Sequence, residues 1–471
     1  MCGIIGIVGN NSVVSQISIG LYDLQHRGEQ AFGIATSNGK DIYNYTKKGL
    51  VTEAFPEERK GKSPVEKLPG NLGIGHTLYS TIGLSGEEKQ TKFFQPLLGD
   101  FHGEKFALAH NGNLINLEPL RKEAEDSGYH FNSKASDTEV IVALLSSSKK
   151  TDFLEALISI LPRIQGAFSL VILLRDKVIG VRDGNGVRPL CLGRIGNSCY
   201  VIASEDCALH TLGGSFIREV RPGELIVLSQ HGIERALIWA QSPRLKLCIF
   251  ELIYFARPDS IIGGQRVYWY REKAGQAVAQ EHPIKYADLV SSVPESGTIY
   301  NYGVSQALGI PVRRAISRNR YYARRTFLMP REINRKSLQE SKFYILRELV
   351  ANKVIIITED SIFRGNVCPE VAGMLRKMGA NEIHLLVGSP PVRYPCFLGI
   401  DIPTQAELIA ANNTLDEIKK QLCVDSLGYL SIAGMVRSSG LPDSSLCMGC
   451  FTGVYPVAPP KNFVIRRPSC K

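Results

Sequence analysis

The sequence contains no run near the ~18 consecutive apolar residues that a membrane-crossing helix needs, so no membrane partner is expected. Its start, Met-Cys-Gly-Ile-Ile-Gly, lacks the basic flank and long apolar stretch of a secretory signal, and a cytoplasmic protein is expected. Internal repeats and low-complexity segments are missing too, which argues against a solenoid or a disordered scaffold. The cysteines do not form an even set: there are 11, unevenly spread. In a reducing compartment that pattern disfavours a disulfide framework and points to metal binding or catalysis.

What is present is ordinary in bulk, with 44% hydrophobic and 21% charged residues. A chain of 471 residues exceeds one compact core, so two or three domains are predicted. The net charge of +10 suggests anionic partners, either nucleic acid or phosphorylated metabolites. Arginines cluster at 313, 314, 318, 320, 324, 325, 331 and 335 with few aromatics between them. That favours a loop closing on a phosphorylated substrate over a nucleic-acid surface.

Two rhythms divide the chain. Up to about residue 235, short β-like runs (Gly3–Val8, Phe106–Ala109, Phe168–Leu174, Tyr200–Ala203, Glu224–Leu228) alternate with turn residues. Helical stretches are predicted over Ser12–His26 and Ser136–Leu145, giving stacked antiparallel sheets with helices outside. A break falls near Trp239–Arg244. Beyond it, strand-like Asp288–Ser292, Val354–Thr358 and Glu382–Leu386 alternate with helical Gly303–Leu308 and Cys368–Met378. Such alternation implies a parallel, doubly wound sheet.

Cys2 follows the initiator Met. Removal of Met1 would leave a thiol and an α-amine on one residue, and an amine with a pKa near ~8 can activate its own thiol. The runs Leu24-Gln25-His26-Arg27-Gly28, Ala109-His110-Asn111-Gly112-Asn113-Leu114 and Ser136-Asp137-Thr138-Glu139 follow. Taken singly, Asn-Gly also reads as a turn and Asp137 as a helix-start residue. Together with Arg182-Asp183 and Val187-Arg188-Pro189-Leu190, they resemble the glutaminase domain of the class II (N-terminal nucleophile) amidotransferases over residues 2–235. The resemblance implies that Cys2 attacks glutamine while Asn111 and Gly112 hold the oxyanion. It also implies that Asp137 binds the substrate ammonium and that Arg27, Gly28 and His76 frame the glutamine pocket. Leu78, in Gly75-His76-Thr77-Leu78-Tyr79, stands where the family usually carries an arginine that grips the glutamine α-carboxylate.

Val354–Thr358 leads into Glu359-Asp360-Ser361-Ile362-Phe363-Arg364-Gly365-Asn366. A buried strand, two acids, a glycine turn and a helix suit a phosphate on backbone N–H groups and ribose or Mg²⁺ on the carboxylates. The segment resembles the 5-phosphoribosyl-1-pyrophosphate motif of type I phosphoribosyltransferases, with Glu359 for the usual Asp and Asn366-Val367 for Thr-Thr. Val293-Pro294-Glu295-Ser296-Gly297 resembles their pyrophosphate loop, and Asn319-Arg320-Tyr321, Arg325-Thr326-Phe327 and Lys342 their flexible loop. The resemblance implies a phosphoribosyl pyrophosphate site of Ser296, Arg320, Lys342, Glu359, Asp360, Ser361, Arg364, Gly365 and Asn366. Mg²⁺ would lie on Ser296, Glu359 and Asp360.

Cys447 and Cys450 form a CxxC pair, which by itself reads as redox, zinc or nothing. With Cys248 and Cys396 in their contexts, they resemble the cluster ligands of the iron–sulfur subgroup of amidophosphoribosyltransferases. Four thiolates suit [4Fe–4S] and also Zn²⁺, with the cluster favoured.

The expected architecture is therefore a 2–238 α+β N-terminal-nucleophile glutaminase domain with stacked antiparallel sheets. A 245–471 α/β type I phosphoribosyltransferase domain with a parallel sheet and the iron–sulfur cysteines follows. The implied reaction is glutamine-dependent amination of 5-phosphoribosyl-1-pyrophosphate to 5-phosphoribosylamine, the first committed step of purine synthesis. A homotetramer or homodimer with purine nucleotide effectors is implied as well. The competing readings are a paralogue that uses free ammonia or another sugar phosphate, and a non-catalytic nucleotide-binding regulator.

Overall fold

The computed structural model describes residues 2–54, 63, 65–79, 93–131, 135–319, 342–402, 404–460 and 463. Arg320, Arg324, Arg325, Arg331 and Arg335 lie outside the described residues.

The first half is built on two antiparallel sheets. One runs in the order Gly214–Glu219, Cys191–Ile195, Cys199–Ala203, Gly3–Val8, Leu72–Leu78, Ala31–Ser37, Ile42–Lys48. The other runs Gly232–Ile238, Glu224–Ser229, Val178–Arg182, Gly166–Leu173, Glu104–Leu114, Leu97–Phe101. Position explains composition: central Gly3–Val8 is buried on both faces, whereas edge strand Gly232–Ile238 is mostly exposed. Ile4, Ile74, Ala107, Val171 and Ile226 fill the space between the sheets. Helix Val14–Asp23 covers the first sheet through Ile17 and Leu21. Helices Asp137–Ser146 and Phe153–Ile160 cover the second through Ile141, Leu145 and Leu157. This is the four-layer arrangement of the N-terminal-nucleophile class.

The second half carries a parallel sheet of Leu289–Ser292, Val354–Glu359, Glu382–Val387 and Ser426–Tyr429, in that order. A parallel bridge from Val290 to Val312 adds a strand position on the far side of the first strand. The winding therefore reverses between Leu289–Ser292 and Val354–Glu359. The carboxyl ends at such a reversal open a crevice where ligands bind.

Element boundaries shift in ways with local causes. The helix expected over Ser12–His26 covers only Val14–Asp23, and Gln25–Arg27 forms a separate 3₁₀ turn. The Gln25 amide explains the change, since its oxygen accepts the Val51 N–H at 2.8 Å and its nitrogen donates to the Gly28 carbonyl. Ser136 is the cap of the next helix, its hydroxyl accepting the Glu139 N–H at 3.0 Å. The helix expected from Gly303 starts at Thr298. After the break near Trp239–Arg244, the chain still lies along the first half, with the Cys248 N–H donating to the Val187 carbonyl at 3.2 Å. Among the described residues, no helix is long and apolar enough to cross a membrane.

Candidate active sites

Cys2 precedes the central strand, and its backbone N–H donates to the Asn111 side-chain oxygen at 3.1 Å. Its sulfur lies 3.8 Å from the Tyr79 carbonyl oxygen. Asn111 and Gly112 sit in strand Glu104–Leu114, opposite Ser169 and Phe168. The Asn111 Nδ2 is buried and has no hydrogen-bond partner among the described residues. A buried donor without a partner costs on the order of 1–3 kcal/mol, and this one belongs to the amide whose oxygen accepts the Cys2 N–H. Gly112 has φ of +154° and presses on the Ala167 carbonyl, where a Cβ would come within 2.0 Å. Only glycine fits there.

Asp137 opens helix Asp137–Ser146 with about a quarter of its side chain exposed. Burial pushes its carboxyl up, but His110 at 3.6 Å and the Thr138 N–H outweigh that and hold it below the usual range. It is thus a fixed anion at the start of that helix. His76 is fully enclosed beside His110, and burial lowers it to about 3, so it stays neutral. Gly28 packs against the Leu78 backbone, where a Cβ would lie 2.4 Å from the carbonyl carbon.

Arg27 is buried rather than lining a pocket. Its Nε donates to the Cys2 carbonyl at 3.1 Å, Nη1 to Glu205, and Nη1 and Nη2 to the two Glu251 oxygens at 3.0 Å each. Glu251 was not singled out from the sequence for any role of its own. The signal was there: a lone carboxylate inside the apolar run Ile249-Phe250-Glu251-Leu252-Ile253 must be paired when buried.

The second site opens at the sheet reversal. A cavity of about 680 Å³ is lined by Ser296, Lys342, Glu359, Asp360, Ser361 and Arg364 of the second half, and by His26 and Tyr79 of the first. The Ser296 hydroxyl donates to Glu359 at 3.2 Å, while the other Glu359 oxygen is buried with no hydrogen-bond partner among the described residues. Burial, and for Glu359 the adjoining Asp360, push both carboxyls above their ordinary range. Two crowded acids with an orphaned oxygen on a cavity wall suit a cation. Gly365, with φ of +71°, turns the chain into helix Val367–Lys377, which Asn366 precedes as the cap residue. Arg364 bonds Glu407 through Nε at 2.7 Å.

The four cysteines singled out in the sequence converge. Cys248 and Cys447 are partners in a two-strand parallel ladder, and the Cys450 thiol is raised first by burial and then by its neighbours Cys248, Cys396 and Cys447. Burial alone carries most of the rise of Cys248 to about 11. Phe250, Phe397 and Phe451 pack in the same core. Among the described residues, the one trio of His, Cys, Asp or Glu ligand atoms within 4.8 Å of each other is His26, Glu205 and Cys207. That trio does not suit a metal, because both Glu205 oxygens already accept from Arg27, His26, Ser260 and the Arg257 N–H. No three of the four cysteine sulfurs lie within 4.8 Å of one another.

Comparison with known proteins decides the family. Residues 87–211 match the model of a glutamine amidotransferase domain. The amidophosphoribosyltransferase of Methanocaldococcus jannaschii is 40% identical over 97% of this chain and 98% of its own. This chain belongs to the amidophosphoribosyltransferase family. The chloroplastic amidophosphoribosyltransferase 2 of Arabidopsis thaliana is 37% identical over 99% of this chain and 81% of its own. A solved glutamine phosphoribosylpyrophosphate amidotransferase from B. subtilis, complexed with ADP and GMP, superposes with a TM-score of 0.89. It is 34% identical and covers 98% of this chain and 99% of its own. Membership makes the protein an enzyme of glutamine-dependent 5-phosphoribosyl-1-pyrophosphate amination, in de novo purine synthesis.

Proposed function

We propose that residues 2–238 release ammonia from glutamine and residues 245–471 transfer it to phosphoribosyl pyrophosphate, with one cavity serving both. The observation that carries this reading is that cavity: Tyr79, adjacent to the Cys2 sulfur, and the Glu359–Asp360 pair line the same space. Cys2 attacks the carboxamide, and Asn111 Nδ2 with the Gly112 N–H receives the developing oxyanion. Asp137 holds the substrate ammonium. Gly28 shapes the pocket, Arg27 acts behind it, and His76 contributes through its strand, since its ring is enclosed.

Ser361, Arg364, Gly365 and Asn366 cradle the 5-phosphate, and Lys342 faces the pyrophosphate. Arg320 is assigned to the same anion. Ser296, Glu359 and Asp360 would hold Mg²⁺, which when bound offsets charge on the leaving pyrophosphate. Cys248, Cys396, Cys447 and Cys450 would hold a [4Fe–4S] cluster, a structural group that ties the segment after the linker to the C-terminal CxxC. Their convergence in closed apolar surroundings supports that reading. The solved relative's ADP and GMP support purine nucleotide effectors here, and the family supports a homo-oligomer working in the cytoplasm.

Cys2→Ala tests the division of labour. It abolishes glutamine-dependent pyrophosphate release and spares release driven by ammonium. Retained glutamine activity removes Cys2 from the role of nucleophile. Failure of wild type with both nitrogen sources favours the non-catalytic regulator.

A further inference from the structure

Glu251 is fully buried, belongs to the second half, and meets two arginines of the first. It accepts from both Arg27 terminal nitrogens at 3.0 Å, and Arg188 Nη1 lies 3.5 Å away. With Glu205 on Arg27, two cations and two carboxylates neutralise each other in the interior. The network ends on the glutaminase nucleophile, because Arg27 Nε donates to the Cys2 carbonyl. It also ends on the oxyanion strand from the same side. Arg188 Nε donates to the Leu398 carbonyl at 3.2 Å, and the Phe397 carbonyl accepts Asn113 Nδ2 at 2.9 Å. Gly399 then passes so close to Gly112 that a Cβ on it would lie 3.4 Å from the Gly112 carbonyl carbon. Among the described residues of the first half, the Arg27 side chain bonds Glu205 and the Cys2 carbonyl alone.

We infer that Glu251 is a positioning residue for glutamine hydrolysis: the phosphoribosyl half supplies the carboxylate that orients Arg27, and through it Cys2, against the Asn111–Gly112 donors. The inference rests on the reading of Cys2 as the nucleophile. A nucleophile displaced by about 1 Å loses on the order of a hundredfold in rate, so a lost anchor shows in kcat. Substrate-binding groups stay in place, so KM changes little.

The test is Glu251→Gln in the full chain, with glutamine hydrolysis, ammonium-driven pyrophosphate release and iodoacetamide labelling of Cys2 measured side by side. Expected are a fall in glutamine kcat of about tenfold or more, slower Cys2 labelling, a nearly unchanged KM for glutamine and intact ammonium activity. Glu251→Asp, which keeps the charge, recovers part of the kcat. Parallel loss of both activities would show a merely structural role and overturn the inference, as would an unchanged glutamine kcat. If Glu251→Gln does not accumulate as soluble protein, Glu251→Asp, whose shorter side chain loosens the paired bonds to Arg27 while keeping the charge, is read in its place: a smaller fall in glutamine kcat with ammonium activity intact is expected, and an unchanged glutamine kcat overturns the inference. Cys2→Ala run alongside separates the two readings: if it too keeps glutamine activity, the assignment of Cys2 has failed, whereas normal Glu251→Gln with dead Cys2→Ala sinks this inference alone.

Discussion

Replacing Leu78 with arginine should repair glutamine capture. Leu78 ends strand Leu72–Leu78, half-buried, with its carbonyl accepting the Gln30 N–H at 3.1 Å and its neighbour Tyr79 beside the Cys2 sulfur. A glutamine α-carboxylate in that pocket asks for a fork of cationic donors. Leucine offers none. Arg27 cannot stand in, because its guanidinium is enclosed and committed to Cys2, Glu205 and Glu251. Asp137, half-buried and held ionised, is the group proposed for the ammonium end. A charge-assisted bond contributes about 1.5–3 kcal/mol, and at a half-buried position water competes for part of a bidentate pair. The net gain is therefore on the order of 1.5–3 kcal/mol, about ten- to a hundredfold in affinity. Steady-state pyrophosphate release against glutamine concentration reads this directly, with ammonium as the reference substrate. Leu78→Arg should lower KM for glutamine by that factor while leaving kcat and ammonium turnover nearly unchanged. In wild type, ammonium-supported turnover should exceed glutamine-supported turnover at millimolar glutamine. A wild-type KM at or below about 1 mM, the upper end of common values, together with no change in Leu78→Arg, would refute the reasoning.

Two further outcomes follow from the other sites. Anaerobically isolated protein should be brown, with about four irons and matching labile sulfide per chain; one zinc and no sulfide would remove the cluster assignment. Asp360→Asn should weaken phosphoribosyl pyrophosphate binding more than tenfold by calorimetry, the loss of a charged contact of about 1.5–3 kcal/mol. Unchanged binding would place the ligand elsewhere.

Much of the architecture was legible because local patterns carry it. Gly3–Val8 reads as a strand, and the structure has that strand unchanged, placed at the centre of its sheet. The alternation of strands and helices past residue 280 reads as a wound parallel sheet, and the Val290–Val312 bridge supplies its reversal. Short-range hydrogen bonding trimmed the first helix, because the Gln25 amide closes a separate turn that hydrophobic periodicity does not register.

The sequence by itself determined the residue types at each site: a thiol beside an N-terminus, an Asn-Gly pair, an acidic pair before a glycine turn, and four cysteines in distinctive settings. Those are chemical identities, and they survive any change of packing. Which of them touch was decided by tertiary structure alone. The resemblance puts Arg27 at a glutamine pocket, yet folding places it behind Cys2 on Glu251, 224 residues away. Asn113 reaches the Phe397 carbonyl across 284 residues, and Tyr79 joins Glu359 around one cavity. Burial supplies the physical reason. A charge withdrawn from water must find its partner wherever the fold brings one, and sequence spacing holds no record of that distance.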